Sequence, residues 1–177
     1  MTLWTVGHST RPLEDFLELL AFHGIRCIAD VRRYPGSRRH PQYGEAVLRA
    51  TLAARGISYL WLPSLGGRRR ALPDSPNGAW RNASFRGYAD YMETGEFSVG
   101  LGDLLSRAGE APTAMMCAEA PWWRCHRALI ADALLVRGTE VLHILDRKAP
   151  VAHAYTAPAA VLQGRLTYGG DEQDPSR

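Results

Sequence analysis

The stretch PTAMMCAEAPWWRCHRALIADALLVRGTEVLHIL, residues 112–145, decides the fold. It opens on an apolar run, PTAMMCAE (112–119). Leu129, Ile130, Ala133, Leu134 and Val136 then recur at the helical period on one face of WRCHRALIADALLVRG (123–138). Gly138 stops that pattern, and TEVLHIL (139–145) is a second apolar run. Two such strands joined by a helix form a crossover unit, which makes the strands parallel. Short apolar strands suit a sheet covered on both faces.

The same alternation extends outward. LWTVGHS (3–9) reads as a first strand and PLEDFLELLAFHG (12–24) as a helix, with Thr10 as its cap and Gly24 as its stop. IRCIADVRR (25–33) is a second strand, GEAVLRATLAARG (44–56) a helix and ISYLWLPS (57–64) a third strand. Residues 65–83 are too rich in Gly, Pro and Asn to be regular. SFRGYADYMET (84–94) and FSVGLGDLLSRAG (97–109) read as two helices. The expected fold is α/β: one three-layer, Rossmann- or flavodoxin-like domain over residues 1–148, with a mostly parallel sheet of about five strands. Beyond residue 148 the pattern fades into a C-terminal extension, 149–177, whose last residues are expected to be mobile.

The bulk numbers narrow the class. The chain has 177 residues, 46% hydrophobic and 22% charged, which fits one soluble domain. No apolar run approaches the ~20 residues that span a bilayer. MTLWTVGHST lacks the charged start and apolar core of a signal peptide, so no membrane partner and a cytoplasmic location are expected. The cysteines Cys27, Cys117 and Cys125 are too few for a disulfide framework, and reduced thiols are expected. Net charge is only +3, but between Arg26 and Arg86 twelve arginines face three acids, Asp30, Glu45 and Asp74. That stretch points to an anionic partner, either a small molecule or nucleic acid. Compositional bias competes with this reading, because Lys148 is the single lysine of the chain.

Ligands of open parallel sheets bind outside the carboxyl ends of the strands. There the sequence offers His8 and Ser9, then Asp30 and Arg32, then Gly66, Gly67 and Arg68, then Cys117 and Glu119. CAEAPWWRCHR (117–127) adds Cys125, His126 and Arg127. The candidate catalytic residues are Cys117, Glu119, His126, His8 and Asp30. A Cys117 thiolate with His126 as base is sensible chemistry, and Glu119 suits a general base or nucleophile. Each has a plainer reading. Cys117 would be a small core filler, His126 a core histidine, and Glu119 an ion-pair partner of Arg124 or Arg127. Arg32, Arg68 and Arg127 are candidate anion contacts, arginine's fork matching phosphate, and the glycines of SLGGRRR (64–70) admit close backbone approach. Tyr34, Trp80, Phe85, Tyr88, Tyr91, Trp122 and Trp123 lie among or beyond these arginines, where they either stack on bases or fill the core.

Neither the Walker nor the G-x-G-x-x-G spacing is present, and no cofactor is assigned. Cys117, Cys125, His126 and His8 would make a soft metal set. However, Cys-x7-Cys-His is not a zinc spacing and adjacent Cys-His side chains rarely reach one ion, so no metal ligand is assigned. A Cys117–Cys125 redox pair would lack the Cys-x-x-Cys signature.

TVGHST, IADVRRYPGSRR, GISYLWLPSLGGRRR, FRGYADYM, MMCAEAPWWRCHRALIA and EVLHI, in this order, resemble the domain-of-unknown-function 488 family. The resemblance implies a compact α/β domain and supplies no chemistry. The positions that carry it are His8, Ser9, Asp30, Arg32, Pro35, Ser37, Gly66, Gly67, Tyr88, Cys117, Glu119, Cys125, His126 and Arg127. Ser9, Ser37, Gly66 and Gly67 join the arginines as candidate anion-binding residues. The expectation is an enzyme, hydrolase or transferase, acting on a phosphate-bearing substrate such as a nucleotide or nucleic-acid component. The alternatives are a non-catalytic nucleic-acid-binding module built on residues 32–86, and a metal-binding or thiol-redox protein using Cys117, Cys125 and His126.

Overall fold

The computed structural model describes residues 1–169. The expectation of a mobile chain end concerns residues outside that range. Five parallel strands form the body of the sheet: β1 (Thr2–Gly7), β2 (Cys27–Asp30), β3 (Ser58–Trp61), β4 (Thr113–Cys117) and β5 (Glu140–Ile144). A short antiparallel strand, β6 (Val151–Ala152), pairs with β5 and gives the order β3-β2-β4-β1-β5-β6. The helices are α1 (Leu13–Phe22), α2 (Glu45–Ala54), α3 (Ala83–Met92), α4 (Gly95–Glu110) and α5 (Arg127–Leu135). The fold is thus the three-layer, Rossmann/flavodoxin-like α/β domain expected. No described helix is long and apolar enough to cross a membrane.

Alternation along the strands builds two cores. Val6, Ile28, Ala114 and Met116 face α1 and α2, where they meet Phe16, Leu20, Leu48 and Leu52. Leu3, Ala29, Met115 and Cys117 face the other way, against Tyr88, Leu101, Leu104, Leu129 and Leu134 of α3, α4 and α5. Each large aliphatic side chain so buried contributes roughly 1.5–3 kcal/mol. Pairing registers align the strand ends: Gly7 lies opposite Cys117, and Asp30 opposite Met116. The ladder runs on past them, with His8 N–H donating to Cys117 O (3.0 Å) and Val31 N–H to Met116 O (3.0 Å).

Three readings of the sequence need correction. Thr10 does not cap the first helix: the N-cap of α1 is Pro12, with no side-chain cap bond. The helix expected over 123–138 is broken at its start. Trp122–Arg124 is a 3-10 turn set by Pro121, Cys125 is extended (φ −129°, ψ 148°), and α5 begins only at Arg127. The region beyond 148 is not featureless. Besides β6 it holds an antiparallel hairpin, β7 (Ala160–Leu162) and β8 (Arg165–Thr167). His153 and Tyr168 of this segment are buried, and both donate to Asp132 of α5.

Candidate functional site

The cavity is built from the ends of β1, β2 and β4. At β1, a Cβ on Gly7 would sit 2.0 Å from Glu119 O, so only glycine lets the strand touch the loop after β4. His8 follows, buried and stacked on Tyr43 at 4.1 Å. Its Nδ1–H donates to Ser9 O (2.9 Å), which leaves Nε2 as an acceptor 3.4 Å from Arg32 Nη1. Burial, with a smaller contribution from the Arg32 charge, lowers the His8 pKa to about 4. The ring is therefore uncharged at neutral pH.

At β2, Asp30 is fully buried and accepts from Arg32 Nε (2.9 Å) and Arg32 Nη2 (2.5 Å), from the Arg32 N–H, and from Tyr59 OH (2.6 Å). Burial opposes the Arg32 charge, but the Asp30 contacts outweigh it and raise the arginine's pKa. Burial is also the main reason that the Tyr59 hydroxyl is pushed up, so it remains a donor to Asp30. Asp30 is thus committed to holding Arg32, whose Nη1 edge faces His8.

Gly66 and Gly67 bring a second loop in. A Cβ on Gly66 would meet Arg33 Cα at 2.7 Å, and one on Gly67 would meet His126 Nδ1 at 2.9 Å. His126 donates from Nε2 to Val31 O (2.9 Å), which turns Nδ1 towards Cys125 Sγ at 3.7 Å. Arg127 Nε also donates to Cys125 Sγ (3.3 Å), and its Nη2 donates to Glu119 O. All three cysteines are free and buried. The hydrogen bond from Cys117 to Cys125 raises the Cys117 pKa, with burial adding to it. Burial would raise Cys125 as well, but the Cys117 thiol, His126 and Arg127 together hold it well below its ordinary value. Cys125 is thus the more acidic thiol of the pair, and it is Cys125 rather than Cys117 that His126 Nδ1 contacts.

A cavity of about 360 Å³ opens among these groups. His8, Arg32, Ser37, Gly67, Arg68, Cys117, Glu119 and His126 line it, together with Cys125. Asp30, Ser9, Gly66 and Arg127 are not among the residues that line it. Arg127, expected as an anion contact, is 1% exposed and spends its donors on Cys125 and the 119–120 carbonyls. The expected ion pair of Glu119 with Arg124 or Arg127 is absent among the described residues; Glu119 is exposed at the rim. Arg33, Gly36, His40, Ser84 and Arg124 also line the cavity and were not chosen from the sequence. Arg33, Gly36 and His40 sit on irregular segments, Arg124 ends the 3-10 turn and Ser84 lies in the first turn of α3, and only the charge of Arg33 and Arg124 marked any of them. Tyr34, Phe85 and Tyr88 complete the wall; Tyr88 is at once core and lining, its hydroxyl on Leu65 O.

The two depressed histidines make stability pH-dependent. His143 of β5 is lowered to about 3, by burial first and then by His153 and Arg127. Both His143 and His8 stay uncharged in the fold while they protonate near pH 6.5 in the unfolded chain. Stability is therefore full above pH 6.5 and declines as pH falls towards 4, by roughly 1.4 kcal/mol per pH unit for each ring. Urea midpoints measured between pH 7.5 and 4.5 check this, and a flat profile over that window would contradict it.

A family model described as "Domain of unknown function DUF488" matches residues 12–134. No curated protein and no solved structure matches the chain. The matched span covers β2 to β4 and most of α5, and with them Asp30, Arg32, Gly67, Cys117, Glu119 and His126 of the site. The chain belongs to the DUF488 family.

Proposed function

We propose that the protein is an enzyme, a hydrolase or transferase, that takes a phosphate-bearing substrate into this cavity: a nucleotide or a nucleic-acid component. One observation carries the reading. Arg33, Arg68 and Arg124 line the cavity without an ion-pair partner among the described residues, against one lining carboxylate, Glu119. Three uncompensated guanidiniums around a hollow favour a di- or polyanion, and their planar forks suit phosphate oxygens. The volume of about 360 Å³ lies in the range of small-molecule sites.

The roles follow from position. Arg68 and Arg124, both exposed at the rim, take phosphate oxygens, and Gly67 allows close backbone approach. Tyr34, 64% exposed with Arg33 over its ring at 5.7 Å, offers a stacking face for a base. Glu119 is the general base or nucleophile. Uncharged His8 accepts a proton or hydrogen bond at Nε2, and Arg32, held by Asp30, orients it. Ser37 presents its hydroxyl to the same cavity while accepting from the backbone N–H groups of Arg39 and His40.

Calorimetric titration with AMP, inorganic phosphate and adenosine tests the reading. AMP and phosphate are expected to bind competitively, with adenosine at least about 30-fold weaker than AMP, as loss of charge-assisted bonds implies. Equal affinity for AMP and adenosine would remove the proposal. A second reading draws on Arg38, Arg39, Arg70 and Arg81, which are exposed beside the same rim loops. It is a nucleic-acid surface, distinguished by oligonucleotide binding that weakens steeply with salt and is not competed by AMP.

A further inference from the structure

We infer that Cys117, Cys125 and His126 hold a divalent ion of the zinc class, with a fourth coordination position opening into the cavity. Their Sγ, Sγ and Nδ1 atoms all lie within 4.8 Å of one another. Cys125 Sγ and His126 Nδ1 are 3.7 Å apart, close to the roughly 3.6 Å that tetrahedral zinc with ordinary Zn–S and Zn–N bonds sets between such a pair. The obstacle that adjacent Cys-His side chains diverge does not arise here. Cys125 is extended and His126 turns into the helical region (φ −57°, ψ −14°), so both side chains reach one point.

The surroundings are those of a ligand set. His126 gives its Nε2–H to the Val31 carbonyl, the bond that fixes the ring and points the Nδ1 lone pair at a metal. Gly67 packs against the same ring, where a Cβ would displace it. The Cys125 sulfur receives an N–H donor from Arg127 Nε (3.3 Å). The Arg127 guanidinium is 1% exposed and has no carboxylate partner among the described residues, so the cysteine sulfurs are the anionic groups set against it. Metal binding releases the remaining thiol proton to solvent, so two thiolates neutralise the divalent ion and leave that positive charge over. The fourth position therefore favours an anion: hydroxide, or an oxygen of a phosphate. Three protein ligands with one open position is the arrangement of catalytic rather than structural zinc. Cys117 and His126 line the cavity, so the open position faces the space assigned to substrate.

The ion site does not depend on the phosphate reading, and its test uses no phosphate ligand. The reduced full chain is titrated with Co²⁺ and then Zn²⁺. One Co²⁺ per chain is expected, with a thiolate-to-cobalt charge-transfer band and tetrahedral ligand-field bands, both abolished by Zn²⁺. Cys117→Ser, Cys125→Ser and His126→Ala should each weaken Co²⁺ binding at least about 100-fold, given that outer-shell partners alone carry about 10–100-fold. Gly67→Ala keeps every ligand but shifts the His126 ring, and should cost about 10-fold or more. Cys27→Ala, at a buried cysteine on β2 outside the set, should keep the band. Wild-type protein that is folded by circular dichroism yet gives no charge-transfer band would overturn the inference whatever the variants do. So would a band that survives loss of either cysteine.

Discussion

Asp132→Ala is expected to lower the stability of the chain by about 3–5 kcal/mol, the range for removing one side of a buried charged network. The carboxylate is fully buried. Its Oδ1 accepts from His153 Nε2 (2.9 Å) and from the Thr156 N–H (2.9 Å), and its Oδ2 from Thr156 Oγ1 (2.6 Å) and Tyr168 OH (2.9 Å). The network continues inward. His153 Nδ1 accepts from His143 Nε2 (3.0 Å), and His143 Nδ1 accepts from Thr5 Oγ1 (2.7 Å) on β1. Thus one acid on α5 ties the 149–169 segment to the helix, to β5 and to the first strand. Truncation leaves four donors facing an apolar gap. Water entering the gap would recover part of the loss, which keeps the effect below the sum of four unsatisfied groups.

The same substitution should loosen one segment first. Limited proteolysis is expected to cut within 149–169 in the variant and to spare it in the wild type. Asp103→Ala, at an exposed position of α4, is the control and should stay within about 0.5 kcal/mol. A change below 1 kcal/mol for Asp132→Ala in urea denaturation would show that the extension is held by something else.

The second large effect is on binding. Arg68→Ala combined with Arg124→Ala should weaken AMP about 100-fold or more, since each charge-assisted bond contributes on the order of 1.5–3 kcal/mol. Both side chains are exposed and outside any ion pair among the described residues, so the double variant should fold as the wild type does. The carbonyl of Arg68, which accepts from Arg33 Nη1 (2.9 Å), is retained. Arginine-to-lysine changes at the same two positions separate charge from geometry. They should recover part of the affinity but not all of it, because an ammonium cannot form the two parallel bonds of a guanidinium. Undiminished AMP affinity in the double alanine variant, measured by calorimetry, would place the anion elsewhere.

Most of the sheet was legible because its strands are short apolar runs bounded by glycine, and because helix-period stretches separate them. Gly7, Asp30, Arg68 and Cys117 could be assigned to one edge by that logic alone. The strand order was not legible. β4 sits between β2 and β1 through crossovers that leave no local mark. The loop after β4 misled for a local reason: Leu129 to Val136 carry a clean helical face, and extending it back over Trp123 ignored the turn that Pro121 imposes. Arg127 read as an anion contact because a buried guanidinium looks no different in sequence from an exposed one. The strands beyond residue 148 are two or three residues long and mostly exposed, too short for any periodicity. One signal there was available. Asp132 lies inside the apolar run ALIADALL (128–135), and an acid on a buried helix must find partners.

The most direct test of the central claim is a crystal structure of the protein with AMP. The phosphate is expected within hydrogen-bond distance of Arg68 and Arg124, at the mouth of the cavity that reaches His8, Glu119 and His126. A nucleotide bound away from the carboxyl ends of β1, β2 and β4, with that cavity filled by side chains, would contradict it.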